Sequence, residues 1–355
     1  MNRICRVGDT VRFTQPPVLT AWAAVAGKKE SEGPLAREFD ELITDTRAGQ
    51  KTWEAAESCF QRRAFDRMLE KAELTERELD CLFGGDLENQ CTATSYTVRG
   101  LDVPFAGLYG ACSTMAESLG MAACFVGAGL ARRAAAMTSS HFCTAERQYR
   151  TPLEYGGQRT PTAQWTATCA GACLVEAGGD ADVCIRAVTF GRVKDAGVYD
   201  INNMGAAMAP AAASTIHRYF CDTGCAPQEF DAIYTGDLGQ VGSTLLLQLL
   251  AKQGLPLHNH RDSGLLLFDT EKQTVGAGGS GCGCSAGVLC AHILPKLARK
   301  ELKRVLLVST GALMSQILFQ QGESIPGVAH LVELAAAGVQ EESGRKTGGE
   351  KGERL

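Results

Sequence analysis

Residues 79–87, LDCLFGGDL, are matched by residues 230–238, FDAIYTGDL, so that Asp86 aligns with Asp237. Both segments read as short buried strands that end in a Gly-Asp-Leu turn, because short apolar runs bounded by turn residues are typical of buried strands. Each follows a stretch with helical character, residues 53–71 in one case and residues 206–221 in the other. The match therefore indicates that the chain contains two copies of one structural unit.

Residues 133–140, RAAAMTSS, and 304–311, RVLLVSTG, form a second related pair of predicted strands. Alternating strands and helices predict an α/β fold with parallel sheets and right-handed crossovers. Two similar halves, residues 1–200 and 201–340, predict a pseudo-twofold, five-layer α/β/α/β/α arrangement. The wider spacing in the second half indicates an insertion at residues 259–279, which we expect to be hairpin-like. Residues 341–355 are charged and glycine-rich, and we expect a disordered tail there.

Cys112 is the first candidate functional residue. It lies in the sequence YGACST, residues 109–114, between a strand-like run and a helical run at residues 115–130. A thiol in the first turn of a helix faces free backbone N–H groups and the positive end of the helix dipole, which lowers its pKa and favours a nucleophilic thiolate. In the duplication Cys112 aligns with Gly283. Cys112 is therefore either a working nucleophile or one wall of a pocket.

Composition excludes several classes of protein. The 355 residues are 45% hydrophobic and carry a net charge of −5, which argues against nucleic acid as a partner. Residues 1–17 lack the apolar core of a signal peptide, and residues 273–295, the longest uncharged stretch, are too rich in glycine for a membrane span. We expect a protein that is not secreted, has no transmembrane helix and reaches a membrane only through a partner.

The fifteen cysteines lie mostly in small or apolar surroundings, which indicates reduced, buried thiols in a reducing compartment. No pair of cysteines and histidines has zinc spacing. We expect no resident cofactor.

The two halves, the cysteine before a central helix and the glycine-rich turn aligned with it resemble the thiolase superfamily. More specific motifs resemble the stage V sporulation protein AD family; they occur at residues 84–90, 110–114, 138–141, 144–148, 154–158, 208–212, 235–238, 278–282 and 323–326. These motifs cover nearly the whole chain, from about residue 33 to residue 333.

The resemblance implies a protein that binds dipicolinic acid, with or without calcium, and supports its uptake into the developing spore of endospore-forming bacteria. It also implies partners among the other stage V sporulation A membrane proteins and a position on the cytoplasmic side of the forespore or spore inner membrane. Thiolase-fold proteins usually dimerise, so the resemblance allows a homodimer.

Condensing enzymes of this fold need a cysteine thiolate together with a His and a second His or Asn. Resemblance to β-ketoacyl-carrier-protein synthase III places the His at residues 235–237, where Asp237 stands instead, and the Asn at residues 278–283, which contain none. An anionic Asp237 would repel an enolate, so binding without catalysis is favoured. The alternative is an acyltransferase with Cys112 as nucleophile and His141, which ends a strand, as base.

The paired acids Asp86 and Asp237 have two interpretations. Each could cap the turn after its strand, or could reach the Cys112 pocket and there hold calcium or accept a proton from the pyridine nitrogen of the ligand. Arg147 could clamp a carboxylate, although an ion pair between Glu146 and an arginine is the alternative. The full set of expected ligand-binding residues is Cys112, Ser113, His141, Asp86, Asn89, Gln90, Arg147, Asp237 and Ser280.

Overall fold

The structure, a computed structural model, describes residues 4–149, 159–179 and 181–339. The predicted tail at residues 341–355 lies outside these ranges, as do residues 154–158 of the motif set. The strands are β1 Ile4–Val7, β2 Thr10–Phe13, β3 Val18–Ala26, β4 Glu41–Leu42, β5 Cys81–Gly85, β6 Phe105–Gly107, β7 Arg133–Ser140, β8 Trp165–Thr166, β9 Cys169–Glu176, β10 Val183–Thr189, β11 Ala232–Thr235, β12 His260–Asp262, β13 Gly279–Ser280, β14 Arg304–Ala312 and β15 Gly327–Ala336.

The helices have the bounds α1 Trp53–Ala72, α2 Thr92–Val98, α3 Thr114–Gly127, α4 Phe142–Tyr149, α5 Met204–Thr223, α6 Gly239–Lys252, α7 Ser263–Leu267, α8 Cys282–Val288, α9 Leu294–Ala298 and α10 Gln316–Gln320. A π-turn at Leu289–Ile293 joins α8 to α9. No helix among the described residues is both long and apolar enough to cross a membrane.

Strand order shows the duplication directly. The main sheet runs β12-β11-β14-β15-β10-β3-β9-β7-β5-β6, which reads as the same five-strand order from either edge. Counted inward from the outer edge of each half, the first two pairs of neighbouring strands are parallel and the next two pairs are antiparallel. The halves meet where Val18 and Leu19 of β3 pair with Cys184 and Val183 of β10. Strand β10 thus belongs with the second half, although it precedes residue 201; the division at residue 200 stays a prediction.

The two halves also repeat individual contacts. The Asp80 carboxylate accepts hydrogen bonds from the backbone N–H groups of Arg132 and Arg133, at 2.6 and 2.9 Å. The Asp231 carboxylate accepts the equivalent bonds before β14, from Lys303 and Arg304, also at 2.6 and 2.9 Å. These aspartates tie the start of a central strand to its parallel neighbour, so the sequence repeat reflects a repeated structural function.

The layers follow from where apolar side chains lie. Helix α1 covers the outer face of the first half, with Phe60, Phe65 and Met68 fully buried, and α5 and α6 cover the outer face of the second half. Helices α3 and α8 lie in the core between the two halves of the sheet. Small residues in α3 allow this close packing, while Met115 and Leu119 of its predicted apolar stripe are fully buried. The five-layer, thiolase-like fold is therefore confirmed.

The insertion in the second half is not a hairpin. Residues 259–279 contain the edge strand β12, which pairs in parallel with β11, and the short helix α7. The segment then leads into β13, which pairs with β8 beside the start of α8. The parallel pairing of β12 makes it the counterpart of β6, so this segment combines a repeated strand with extra residues.

Gly311 of β14 lies where a side chain cannot fit. A Cβ atom at this position would be 2.1 Å from the carbonyl oxygen of Gly110 and 3.3 Å from the backbone nitrogen of Cys112. The close approach of β14 to the turn before α3 therefore requires glycine.

We expect Gly311→Ala to lower the free energy of unfolding by about 3 kcal/mol, because backbone atoms must move to admit the methyl group. Gly100→Ala is the matched control, since a Cβ there meets nothing within 4 Å; its effect should stay within about 1 kcal/mol. Urea unfolding of both variants measures the difference. Equal stability of the two variants would contradict the packing described for Gly311.

Candidate functional site

Cys112 lies in a single tight turn, Ala111–Ser113, directly before α3. Ala111 has φ +50°, a left-handed conformation that is uncommon for a residue with a side chain and that often marks a functional site. The turn is fixed by the Ser113 hydroxyl, which donates to the Gly110 carbonyl at 2.6 Å, and by the Thr114 hydroxyl, which donates to the Ala111 carbonyl at 2.7 Å. This geometry places Cys112 at the wall of a cavity of about 90 Å³.

The cavity has a mainly apolar wall with a few polar groups. Leu87, Ile201, Met204 and Met314 supply apolar side chains, and Cys112, Gln164, Thr166, Asn202 and Ser280 supply polar ones. Tyr149 and Glu146 of α4 complete one side. An apolar cavity with a small number of convergent polar groups is the usual form of a small-molecule site.

Asp237 lies immediately behind this wall. Its Oδ1 accepts a hydrogen bond from the Thr310 hydroxyl at 2.7 Å, and its Oδ2 accepts from the backbone N–H of Gly281 at 2.8 Å and from the Ser280 hydroxyl at 3.2 Å. The Cys112 thiol lies close to this carboxyl group, whose negative charge acts on it. Burial raises the pKa of Asp237 to about 7, because the loss of solvent outweighs the stabilising donors.

The pKa of Cys112 is raised, which corrects the expectation drawn from its place before a helix. Burial is the largest cause, followed by the negative charge of Asp237 and the proximity of Cys282. The helix start does not offset these effects, since a thiolate here would be buried beside a carboxylate. Cys112 is therefore a neutral thiol beside Asp237.

His141 does not lie with Cys112. Its Nε2 bonds to the Thr46 carbonyl at 2.9 Å, its Nδ1 accepts from the backbone N–H of Cys143 at 3.1 Å, and its ring packs against Trp53. It lines a separate cavity with Lys29 among others, and burial lowers its pKa. Both ring nitrogens are engaged there, so the structure gives Cys112 no base at this position.

Asp86 does not face the cavity either. Its oxygens accept hydrogen bonds from the backbone N–H groups of Glu88 and Thr94, both at 2.7 Å, and from the Thr94 hydroxyl at 2.6 Å. These bonds hold the start of α2, which matches the capping interpretation of the sequence. Burial raises the pKa of Asp86. The two aligned acids thus have different surroundings.

The remaining predicted residues are spread around the site. Ser280 lines the cavity, whereas Ser113 is fully buried and uses its hydroxyl within the turn. Asn89 and Gln90 line a neighbouring cavity of about 350 Å³. Arg147 forms an ion pair with Glu54 at the surface instead of reaching Cys112. Their roles in ligand binding stay predictions.

Residues without a clear signal in the sequence complete the cavity. The Gln164 side-chain amide donates to the backbone carbonyls of Asp237 and Gly279, at 2.7 and 2.8 Å, and so ties β8 to the Cys112 region. Glu146 forms an ion pair with Arg159, so the alternative in which Glu146 pairs with an arginine is present. Gln164 has no counterpart in the duplication, so comparing the two halves could not find it.

Asp86 and Asp237 do not fit a resident calcium site. Calcium takes about six to eight oxygen ligands, but the oxygens of both acids are already bonded to protein donors. Residues 4–149, 159–179 and 181–339 contain no group of three His, Cys, Asp or Glu side chains arranged to hold a metal ion. Calcium that accompanies a ligand stays a prediction.

We expect iodoacetamide at pH 7 to alkylate Cys112 at least about tenfold more slowly than the exposed Cys5 and Cys221, because a raised pKa leaves little thiolate. Peptide mapping by mass spectrometry gives the rates. Asp237→Asn should accelerate the reaction at Cys112 and leave that at Cys221 unchanged, since it removes a neighbouring negative charge. Faster alkylation of Cys112 than of Cys221 in the unmodified chain would contradict this description.

The fold has many known relatives among condensing enzymes. The 3-oxoacyl-[acyl-carrier-protein] synthase III from Aquifex aeolicus VF5 superposes with a TM-score of 0.51 at 12% identity, covering 90% of this chain and 99% of that one. Cerulenin-bound OleA of Xanthomonas campestris superposes with a TM-score of 0.58 at 15% identity, covering 90% and 99%. At these identities the likeness shows the thiolase fold and leaves the activity open.

Sequence comparison is more specific. Stage V sporulation protein AD of Bacillus subtilis (strain 168) is 43% identical over 327 residues, which cover 92% of this chain and 96% of that protein. The family model described as Stage V sporulation protein AD matches residues 8–335, which include both halves and the Cys112 cavity. The chain therefore belongs to the stage V sporulation protein AD family.

Proposed function

We propose that the chain binds dipicolinic acid in the Cys112 cavity, without catalysing a reaction, and thereby supports uptake of dipicolinate into the developing spore. Membership of a sporulation family supports the process. One observation carries the non-enzymatic assignment: the Cys112 thiol is buried beside the carboxyl group of Asp237, where a condensing enzyme needs a thiolate.

The cavity wall suits a small planar acid. Methionine and leucine side chains can pack against the faces of a ring. The Ser280 hydroxyl, which donates to Asp237 in the free chain, lies at the wall and can rotate to donate to a ligand carboxylate. Arg159 lies near this wall: it pairs with Glu146 and bonds to the backbone carbonyl of Gln164, both of which line the cavity. This arrangement supports binding of a carboxylate ligand beside an existing ion pair.

The surroundings of Cys112 argue against the alternative, an acyltransferase. No histidine lines the cavity among the residues that the structure describes, and His141 is held elsewhere by two hydrogen bonds. An oxyanion or enolate formed here would lie close to Asp237, whose negative charge opposes it.

The cellular setting is part of the same proposal. The chain would act at the forespore or spore inner membrane, on its cytoplasmic side, by contact with other stage V sporulation A membrane proteins. A homodimer is compatible with this arrangement.

We expect dipicolinate to bind one site per chain in isothermal titration calorimetry, with calcium present or absent. Ser280→Leu should weaken binding at least about tenfold, because the larger side chain enters the cavity and the hydroxyl donor is lost. Asn89→Leu is the matched control; it fills the neighbouring cavity and should leave the affinity unchanged. Benzene-1,3-dicarboxylate, which has no ring nitrogen, tests whether the pyridine is recognised.

The absence of heat at millimolar dipicolinate would contradict the proposal. Loss of binding in Asn89→Leu, with Ser280→Leu unaffected, would contradict the assignment to the Cys112 cavity.

Acyl transfer is tested separately by intact-mass analysis after incubation with acyl-CoA donors of several chain lengths. We expect no adduct, because the neutral Cys112 thiol is a poor nucleophile. A known 3-oxoacyl synthase III treated in parallel verifies that the donors are active. An adduct that disappears in Cys112→Ala would establish the alternative function.

A further inference from the structure

Two polar groups at the cavity wall lie against one buried carboxyl group. Ser280 and Cys112 both line the cavity; the Ser280 hydroxyl donates to Asp237 at 3.2 Å, and the Cys112 thiol lies close enough to feel its charge. Asp237 itself is fully buried. A ligand carboxylate that contacts this wall is therefore separated from the carboxyl group of Asp237 only by the Ser280 or Cys112 side chain.

We propose that the Cys112 cavity takes up a proton together with its dicarboxylate ligand, and that Asp237 is the residue that holds this proton. The inference rests on the proposed function, and it adds the protonation state in which the site accepts the ligand.

Among the residues that the structure describes, the groups that face Asp237 carry no compensating positive charge. Cys112 approaches from the turn before α3, Cys282 and Cys284 from α8, and Asp262 from β12. The remaining contacts from β14 and the turn before α8 are neutral donors. An ionised Asp237 would thus meet a dianionic ligand in a buried setting, where repulsion between like charges is strong.

The other acids near the cavity are less suited to hold the proton. Glu146 is paired with Arg159. Asp262 accepts hydrogen bonds from the Thr235 hydroxyl and from the backbone N–H groups of Leu238 and Gly239, so it faces away from the cavity wall. The pKa of Asp237 is already raised to about 7, and we expect the negative charge of a bound dianion to raise it by at least about two further units, which keeps the group neutral up to about pH 9.

The test is calorimetry with dipicolinate between pH 6 and 9, without calcium, in phosphate and in Tris at each pH. The two buffers release different heats on giving up a proton, so the difference in observed enthalpy counts the protons taken up. Carboxylic acids titrate near pH 4, so the ligand stays a dianion throughout. Uptake should rise from near zero at pH 6 to about one proton at pH 8, and the affinity should fall about tenfold per pH unit above 7.

Asp237→Asn should abolish both the proton uptake and the fall in affinity, because the amide is neutral at every pH. Asp262→Asn is the matched control: it removes a neighbouring buried acid that does not touch the wall, and it should keep the pH dependence. If Asp237→Asn does not fold, the two-buffer measurement on the unmodified chain still shows whether the site takes up a proton when the ligand binds.

The possible failures are distinct. Binding with equal enthalpies in both buffers and a constant affinity from pH 6 to 9 would overturn proton uptake and leave the proposed function intact. Unchanged proton uptake in Asp237→Asn would assign the proton to another group and overturn the role of Asp237. Absence of binding at every pH would overturn the proposed function itself.

Discussion

The hydrogen bonds that converge on Asp237 connect the parts of the molecule on which the site depends. They join the end of β11 to Thr310 of β14 and to Ser280 and Gly281 before α8. The turn before α3, with Cys112, lies beside the same carboxyl group. Both central helices, α3 and α8, thus begin close to Asp237. Burial, together with the charge of this carboxyl group, keeps the Cys112 thiol protonated.

The two halves diverge at the matching acid. In the first half Asp86 holds the start of α2. In the second half α6 starts at Gly239, and Asp262 of β12 accepts the backbone N–H groups of Leu238 and Gly239 instead. Asp237 is thereby available to turn toward the centre of the molecule. The two aligned acids therefore differ because a second acid, Asp262 of β12, accepts the N–H groups at the start of α6.

The duplication in the sequence predicted the paired strands, the central helix and the turn at Cys112, since these depend on apolar patterns that repeat in both halves. The directions in which side chains point could not be predicted from the sequence. A strand end places His141 at the same edge as Cys112, but its ring packs on Trp53 and bonds to Thr46, contacts that only the folded chain brings together. The pKa of Cys112 depends likewise on burial beside Asp237, a residue distant in sequence.

We propose that a cavity beside a protonated cysteine holds dipicolinate without covalent chemistry, and a crystal structure of the chain soaked with dipicolinate tests this. We expect a non-covalent ligand in the Cys112 cavity, with a carboxylate within hydrogen-bond distance of Ser280 and with an unmodified Cys112 thiol beside Asp237. Ligand density confined to the cavity beside Asn89 or to the one beside His141, or a covalent bond to Cys112, would contradict it.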